Sequence, residues 1–552
     1  EPRLASPAHG RLRRPQTEIR LADIPIMFPG KNIRLWSGLC CAAAGFILAI
    51  YIWHPITDSW WYITDDYRWP RILGSDKSIT FSEFLSNCNP RDWPLGSKVN
   101  RPTYFFTTSA MMYLFGHHIV WWNITRIAMM ASSLAAVGWV VARIVGAIPS
   151  LAAIALLGFH SMWFDALPRL QSELFSFLGL SMTGLFAWAV VACSRSDGRP
   201  FLRRALVGAL CLFSIYATGS KENITVLMAM VAGVTLVATW ASPSRTLAAF
   251  RFPAAIVLIW SGALFYFIYR GVISEGADLY GRAVRPAEAF HYFWQGILNK
   301  PIVWSLALTS LIAALTSLGF RSPEAKFLRR ALAWNAIMQA CILIYTGFLS
   351  FFYRGGIPEL NCRYQFPYAF LPLLALIVGA SVLLDATKNH KRINFAVLLI
   401  ASITTPLVAH SAIIHPGSSY SFNLTGATIY SRATISFRYR LEMLIAQAAK
   451  SPSTPILFAS HGFNDFEPLL SIDLFLKANG CQNEVFLEVI GYSESAAHSD
   501  SEVHLSRLTN GLYTSNRFHR PEDLPSGVVP IKANFSREDL SNGAVANFWP
   551  LF

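Results

Sequence analysis

Read along the chain, the apolar residues gather in blocks near the ~20-residue length that crosses a bilayer, separated by short polar stretches. The blocks lie near 35–53, 119–141, 148–164, 174–192, 205–217, 224–240, 253–269, 302–320, 331–351, 364–384 and 395–413. Backbone amides in lipid must find their hydrogen bonds within the segment, so each block predicts a helix. No barrel-like alternation of apolar and polar positions competes with that reading. About eleven crossings result. A further apolar block, 101–116 (RPTYFFTTSAMMYLFG), is short and rich in Thr, Ser and Tyr. It is predicted to lie in the membrane interface rather than to cross. Beyond residue 414 the long blocks stop. Residues 455–460 and 484–490 read as strands and 467–478 as a helix, so 415–552 is predicted to form a small α/β domain.

Composition supports a membrane class. The chain has 552 residues, of which 53% are hydrophobic and 14% charged, against about 25% charged in soluble domains. A net charge of +14 raises nucleic acid as a partner, but the distribution of the cations argues against it. Arg11, Arg13, Arg14, Arg20, Lys31 and Arg34 precede the first block. Further clusters are Arg195 to Arg204, Arg245 with Arg251, Arg321 to Arg330, and Lys388 to Arg392. The positive-inside rule places all of them on the cytoplasmic face, with 1–34 as a basic cytoplasmic tail. They fall on one face only if one of the four apolar segments between the Asp65-Asp66 loop and Arg195 does not cross, and 101–116 is the segment chosen. The C-terminal region then lies outside. The expected fold is a polytopic α-helical membrane protein of about 11 transmembrane helices with a small C-terminal extracytoplasmic α/β domain. Its partner is the lipid bilayer and not nucleic acid.

This topology collects the unusual charges on the outer face. They are Asp58, Asp65 and Asp66 in a first outer loop (54–118), then Asp165 and Arg169, Lys221 and Glu222, Arg270 to Arg285, and Arg354 to Arg363. Charges at span ends are costly unless paired or facing an aqueous cavity, so their convergence marks a site. Any one of them could simply anchor a helix. Lys221 has two bland readings, an ion pair with Glu222 or snorkelling to the interface. An Asp-Asp pair can also cap a helix. Trp60, Trp61, Trp69, Trp93, Trp121 and Trp122 are expected to form an interfacial aromatic belt, with sugar stacking as the minority reading. Cys88, Cys362 and Cys481 face outside in this topology, which leaves one disulfide open among them.

A family resemblance rests on these residues. A short first span, an outer loop carrying Asp65-Asp66, a segment opening with Arg-Pro and ending in Leu-Phe-Gly, and Arg126 inside the next span resemble the GT-C class of membrane glycosyltransferases. That class includes protein O-mannosyltransferases and lipid A aminoarabinose transferases. Ser220-Lys221-Glu222 and Arg363-Tyr364-Gln365-Phe366-Pro367 also look like the Lys-Glu and Arg-Tyr-x-x-Pro patches met there. The resemblance covers roughly 35–384 as architecture. It implies transfer of a sugar from a polyprenyl-phosphate donor, with inversion, to a hydroxyl of a glycan, glycolipid or protein acceptor outside a membrane such as the bacterial inner membrane.

In that chemistry a carboxylate within hydrogen-bond reach deprotonates the acceptor. The resemblance favours Asp65, the first of the pair, with Asp66 beside it. Lys221, Arg270, Arg354 and Arg363 are candidates to hold the donor lipid phosphate. Arg68, Arg126, Glu222 and Tyr364 are expected to support the site, Arg126 by tying the second span to the acidic loop. No cofactor is required, and an acidic pair can also hold Mg2+ or Mn2+. The competing class is a transporter or flippase of a lipid-linked or polar substrate, which calls for broken helices and charges near mid-bilayer. A purely structural membrane protein would leave the convergence of outer charges unexplained.

Overall fold

The computed structural model describes residues 31–61, 78–88, 101–159, 172–194, 200–241, 245–275, 420–460, 472–489 except 474, and 518–533, with isolated positions such as Trp163, Leu167 and Phe366 and parts of 290–298 and 332–345. The membrane-type helices are α1 (Lys31–Trp53), α4 (Ile119–Ile144), α5 (Ala147–Gly158), α6 (Ser172–Ser194), α7 (Pro200–Thr218), α8 (Glu222–Ala241) and α9 (Arg251–Glu275). Two shorter helices, α2 (Phe81–Asn87) and α3 (Pro102–Phe115), stand between α1 and α4. Among the described residues, five helices are long and apolar enough to cross a membrane, and α5 and the first part of α9 form shorter apolar helices. The chain is therefore a helical membrane protein. Every described helix among α1 and α4–α9 coincides with a block predicted from hydrophobic length.

Successive helices alternate in direction, and their contacts show which ends lie together. After α1 a single 3-10 turn, His54–Asp58, leads to Ser59 and Trp61. The Asn123 amide in the first turns of α4 donates to the Ser59 carbonyl and hydroxyl, both at 3.1 Å. The end of α1 and the start of α4 thus share one end of the bundle, here called the Trp61 end. At the other end the Arg143 guanidinium lies 5.7 Å from the ring of Trp139 on α4 and 5.3 Å from that of Trp188 on α6. Arg251 at the start of α9 donates to the Thr239 carbonyl of α8 at 3.0 Å, at this same Arg143 end.

Small residues bring the helices this close. A Cβ built on Gly45 of α1 would sit 2.7 Å from the Leu134 carbonyl oxygen, and one on Gly138 of α4 would sit 2.6 Å from the Cys41 carbonyl oxygen. The two backbones touch reciprocally, the usual device where lipid supplies no hydrophobic drive between helices. Gly138→Leu should therefore push α1 off α4 and destabilise the protein by roughly 1–3 kcal/mol or more. The thermal midpoint of the detergent-solubilised protein should fall. Gly262→Leu is the control, because a Cβ there meets nothing within 4 Å.

The helix α3 lies across the Trp61 end. Its 14 residues rise about 21 Å, well short of the ~30 Å hydrocarbon core. Both of its ends are tied to the same end of the bundle. The Thr103 amide donates to the Gly219 carbonyl at 3.0 Å, and the Trp122 indole donates to the Gly116 carbonyl at 3.0 Å.

The helix α2 begins at a reciprocal cap. The Glu83 amide donates to the Thr80 hydroxyl, while the Glu83 carboxylate accepts from the Thr80 amide at 2.7 Å and from its hydroxyl at 2.8 Å. These bonds, the backbone one first, hold the exposed Glu83 carboxyl below its ordinary value. A depressed folded value means the cap's contribution is present above the unfolded carboxylate pKa of about 4.3 and fades as pH falls through the lower folded value. Amide exchange in α2, corrected for its intrinsic rate, should speed up on that acidification. Glu83→Gln should abolish the pH dependence.

The chain after residue 420 builds a different layer. A long helix, α10 (Tyr420–Lys450), precedes a three-stranded parallel sheet of β1 (Ile456–Ser460), β2 (Val485–Val489) and β3 (Ile531–Lys532). The order is β2-β1-β3, with β1 central and Ile456 opposite both Val485 and Ile531. Parallel neighbours need a crossover, and helical residues 472, 473 and 475–478 lie between β1 and β2. The strands agree with the predicted 455–460 and 484–490. Phe437, Leu441, Leu444 and Ala448 from α10 bury against Ile456 and Phe458, in a core continuous with Trp53 and Trp61 at the end of α1.

Candidate functional site

Four polar elements meet at the Trp61 end. The hinge of the arrangement is the turn Gly219-Ser220-Lys221 between α7 and α8. Gly219 donates to the Ile215 carbonyl and Ser220 to that of Ala217. The Thr225 hydroxyl one turn into α8 reaches back to the Thr218 carbonyl at 2.7 Å. A Cβ on Gly219 would stand 2.7 Å from the Thr103 hydroxyl and 3.1 Å from Pro102 Cγ. The glycine is what lets the start of α3 seat on this turn.

Four charged side chains are neutralised around it. Arg101, just before α3, donates from Nε to both carboxylate oxygens of Glu222, at 2.8 and 3.0 Å. Glu222 opens α8, where the positive end of the helix dipole also favours a carboxylate. The Lys221 ammonium donates to the carboxylate of Glu173 in the first turn of α6, and both side chains are almost fully buried. One turn on, the Ser176 and Ser220 hydroxyls stand 2.7 Å apart. Asn223 donates to the Phe366 carbonyl at 3.1 Å, and Phe366 packs on Trp163 and Phe177 with ring centroids 5.8 Å away in each case. Two ion pairs and the Asn223 bond thereby tie α3, α6, the α7–α8 turn and Phe366 together. In a low-dielectric setting such pairs hold only if each charge is met, as it is here.

No protein-family model and no curated protein matches this chain. The site must be read from its own residues.

Sequence reasoning placed Lys221 and Glu222 at this site but paired them with each other as one alternative. The structure gives each a different partner: Lys221, in the turn, reaches Glu173 of α6, while Glu222, opening α8, meets Arg101 ahead of α3. Glu173 and Arg101, the actual partners, were not singled out as site residues. The signal for Glu173 was a lone carboxylate at the edge of the apolar block 174–192, matching the lone lysine at the edge of another. Arg126 lies on α4 one turn past Asn123 and is fully buried. Arg270 falls near the C-terminal end of α9. Asp65, Asp66, Arg68, Arg354, Arg363 and Tyr364 lie outside the described residues.

The described residues that bracket the acidic pair, Trp61 before it and Ile79 after it, are packed in the core. Trp61 is buried and meets Trp122 edge-on at 5.2 Å. The Trp60 amide donates to the Thr434 hydroxyl of α10 at 3.1 Å, and its ring lies 5.0 Å from Phe475. On the far side, Ile79 is buried in the same core. Asp65 and Asp66 follow Trp61 by four and five positions. The belt reading of Trp61 and Trp122 is corrected by these contacts: both are internal packing residues, and of the α4 pair only Trp121 is exposed. Their neighbours in the sequence are equally aromatic, so only packing separates the two roles. Cys88 and Cys481 are both free thiols, and burial pushes each above its ordinary value.

Proposed function

We propose that this protein is a membrane glycosyltransferase of GT-C type, moving a sugar from a polyprenyl-phosphate donor to an acceptor hydroxyl outside the membrane. One observation carries the reading. The anchored start of the Asp65-Asp66 segment, the Arg101–Glu222 and Lys221–Glu173 pairs, and the end of α9 that carries Arg270 all belong to one end of the bundle. The opposite end carries Lys31, Arg34, Arg143, Arg203, Arg204 and Arg251, which by the positive-inside rule makes it cytoplasmic. Unlike a transporter's mid-bilayer site, the polar groups cluster at a single face.

The remaining blocks would complete about eleven crossings. The α10–sheet unit, held on Trp60, would be the extracytoplasmic domain roofing the site. In the reaction, Asp65 or Asp66 takes the proton of the acceptor hydroxyl as its oxygen attacks the anomeric carbon. The bond from that carbon to the phosphate oxygen breaks with inversion, and polyprenyl phosphate leaves with the electron pair. Arg270, Arg354 and Arg363 would meet the growing phosphate charge. Lys221 and Glu222 form the floor beneath.

The test is sugar transfer by the purified full chain from a panel of polyprenyl-phosphate sugars, beside uptake of the same compounds into proteoliposomes. Transfer to any hydroxyl acceptor supports the reading. Movement across the bilayer without transfer overturns it in favour of a flippase.

A further inference from the structure

At the Arg143 end of the bundle, α4 finishes on a cation that the proposed chemistry does not use. Arg143 lies in the last turn of α4, where the negative end of the helix dipole favours a positive charge. A Cβ built on Gly38 of α1 would stand 3.1 Å from Arg143 Cδ and 3.2 Å from Trp139 Cε3, so the arginine stem lies against bare backbone. The guanidinium sits 5.7 and 5.3 Å from the ring centroids of Trp139 and Trp188. Those two rings meet edge-on at 5.6 Å. The cation is therefore held in place by α1, α4 and α6 together.

Holding a charge does not satisfy it. The two rings attract a guanidinium but offer its N–H fork no oxygen, and the group cannot shed its proton. Arg143 Nη1 is shielded from solvent and finds no hydrogen-bond acceptor among the described residues. The described stretches at this end, 31–38, 139–150, 186–194, 200–206, 236–241 and 245–255, contain no Asp or Glu. They add Lys31, Arg34, Arg203, Arg204, Arg245 and Arg251 instead. An anionic acceptor that fits the arginine fork and is at hand where a membrane helix ends is a lipid phosphodiester. Leu35 and Leu39 of α1 are each 43% exposed. Helical spacing puts both on the same flank of Gly38, an apolar track for acyl chains beside the cation.

We propose that Arg143, braced between Trp139 and Trp188, is the headgroup site for one anionic phospholipid of the leaflet at that end, with its chains along Leu35 and Leu39. The phosphodiester accepts from the guanidinium fork and supplies the charge that the described residues there lack. A zwitterionic lipid fits less well, because its ammonium group would be brought among further cations. The bound lipid ties α1, α4 and α6 together at the end opposite Glu173 and Lys221. This inference does not depend on the reaction proposed above and fails or stands separately from it.

The experiment uses the full chain, delipidated in a non-ionic detergent and titrated with phosphatidylglycerol, with phosphatidylcholine of the same chains, or with inorganic phosphate. Native mass spectrometry counts the lipids retained, and thermal unfolding reports the linked stabilisation. The parent should retain phosphatidylglycerol in preference to phosphatidylcholine and unfold at a higher temperature with it. Arg143→Gln should weaken phosphatidylglycerol binding by about tenfold or more, the loss of a charge-assisted hydrogen bond. Arg204→Gln, at an exposed cation of the same end, should bind it like the parent. Arg143→Lys keeps the charge without the fork, so it serves if the glutamine variant does not fold, and it too should bind more weakly than the parent. Parent-like phosphatidylglycerol binding in the Arg143 variants would overturn the proposal. So would equal retention of the two lipids. Stabilisation by inorganic phosphate matching that by phosphatidylglycerol would also overturn it, by assigning Arg143 to a soluble anion.

Discussion

One of the two substitutions Asp65→Asn and Asp66→Asn should lower the rate of sugar transfer by about 10²–10⁴-fold, the range that a positioned general base supplies. Asparagine keeps the shape and the hydrogen-bonding reach of aspartate but cannot take a proton. The loss should therefore fall on the rate at saturating donor, with donor affinity little changed. The other substitution should cost much less if its carboxylate only orients Arg68 or the sugar. Because Trp61 and Ile79 are packed in the core, the exchange at Asp65 or Asp66 leaves both anchors of the segment intact. Thermal unfolding of the two variants should match the parent. Equal, full activity in both variants would remove the acidic pair from the chemistry altogether.

Glu173→Ala should destabilise the folded protein by about 3–5 kcal/mol, the cost of breaking a buried ion pair from one side. The Lys221 ammonium is buried against that carboxylate, and without it the cation remains in a low-dielectric interior. Lys221→Met alone should cost a similar amount by stranding the carboxylate. Combining Glu173→Leu with Lys221→Met removes both charges and should recover most of the loss, since apolar replacements of such pairs are often neutral or better. Thermal unfolding in detergent checks all three. If the single variants keep full stability, the pair is not what holds α6 to the α7–α8 turn. If the double variant is stable yet fails to use donor, the pair's role lies in the site rather than in the fold.

Much of the architecture could be read locally. Block length marked the helices, because lipid leaves the backbone no other way to satisfy its amides. The short Thr- and Tyr-rich block around Thr107 and Tyr113 differs from the spans in length, and the structure ties both its ends to one end of the bundle. The apolar run Ile456–Ser460 is the central strand of the parallel sheet, and such strands read as continuous apolar runs. The candidate site was legible as a place rather than as a set of contacts. Lys221 and Glu222 stood out because charges between two apolar blocks need a reason. Their partners were not legible, and neither was the division of the tryptophans into buried Trp61 and Trp122 and exposed Trp121.

The physical reason is one of range. Hydrophobic length and strand alternation are properties of neighbouring positions, so the sequence by itself determined that this is a helical membrane protein. The pairing of Lys221 with Glu173 spans 48 positions and that of Glu222 with Arg101 spans 121. Such partners are chosen by which helices pack and at what height, and only the tertiary structure decided that. It depends on close approaches such as Gly138 on Cys41 and Gly219 on Thr103, where the absence of a side chain sets the distance between backbones.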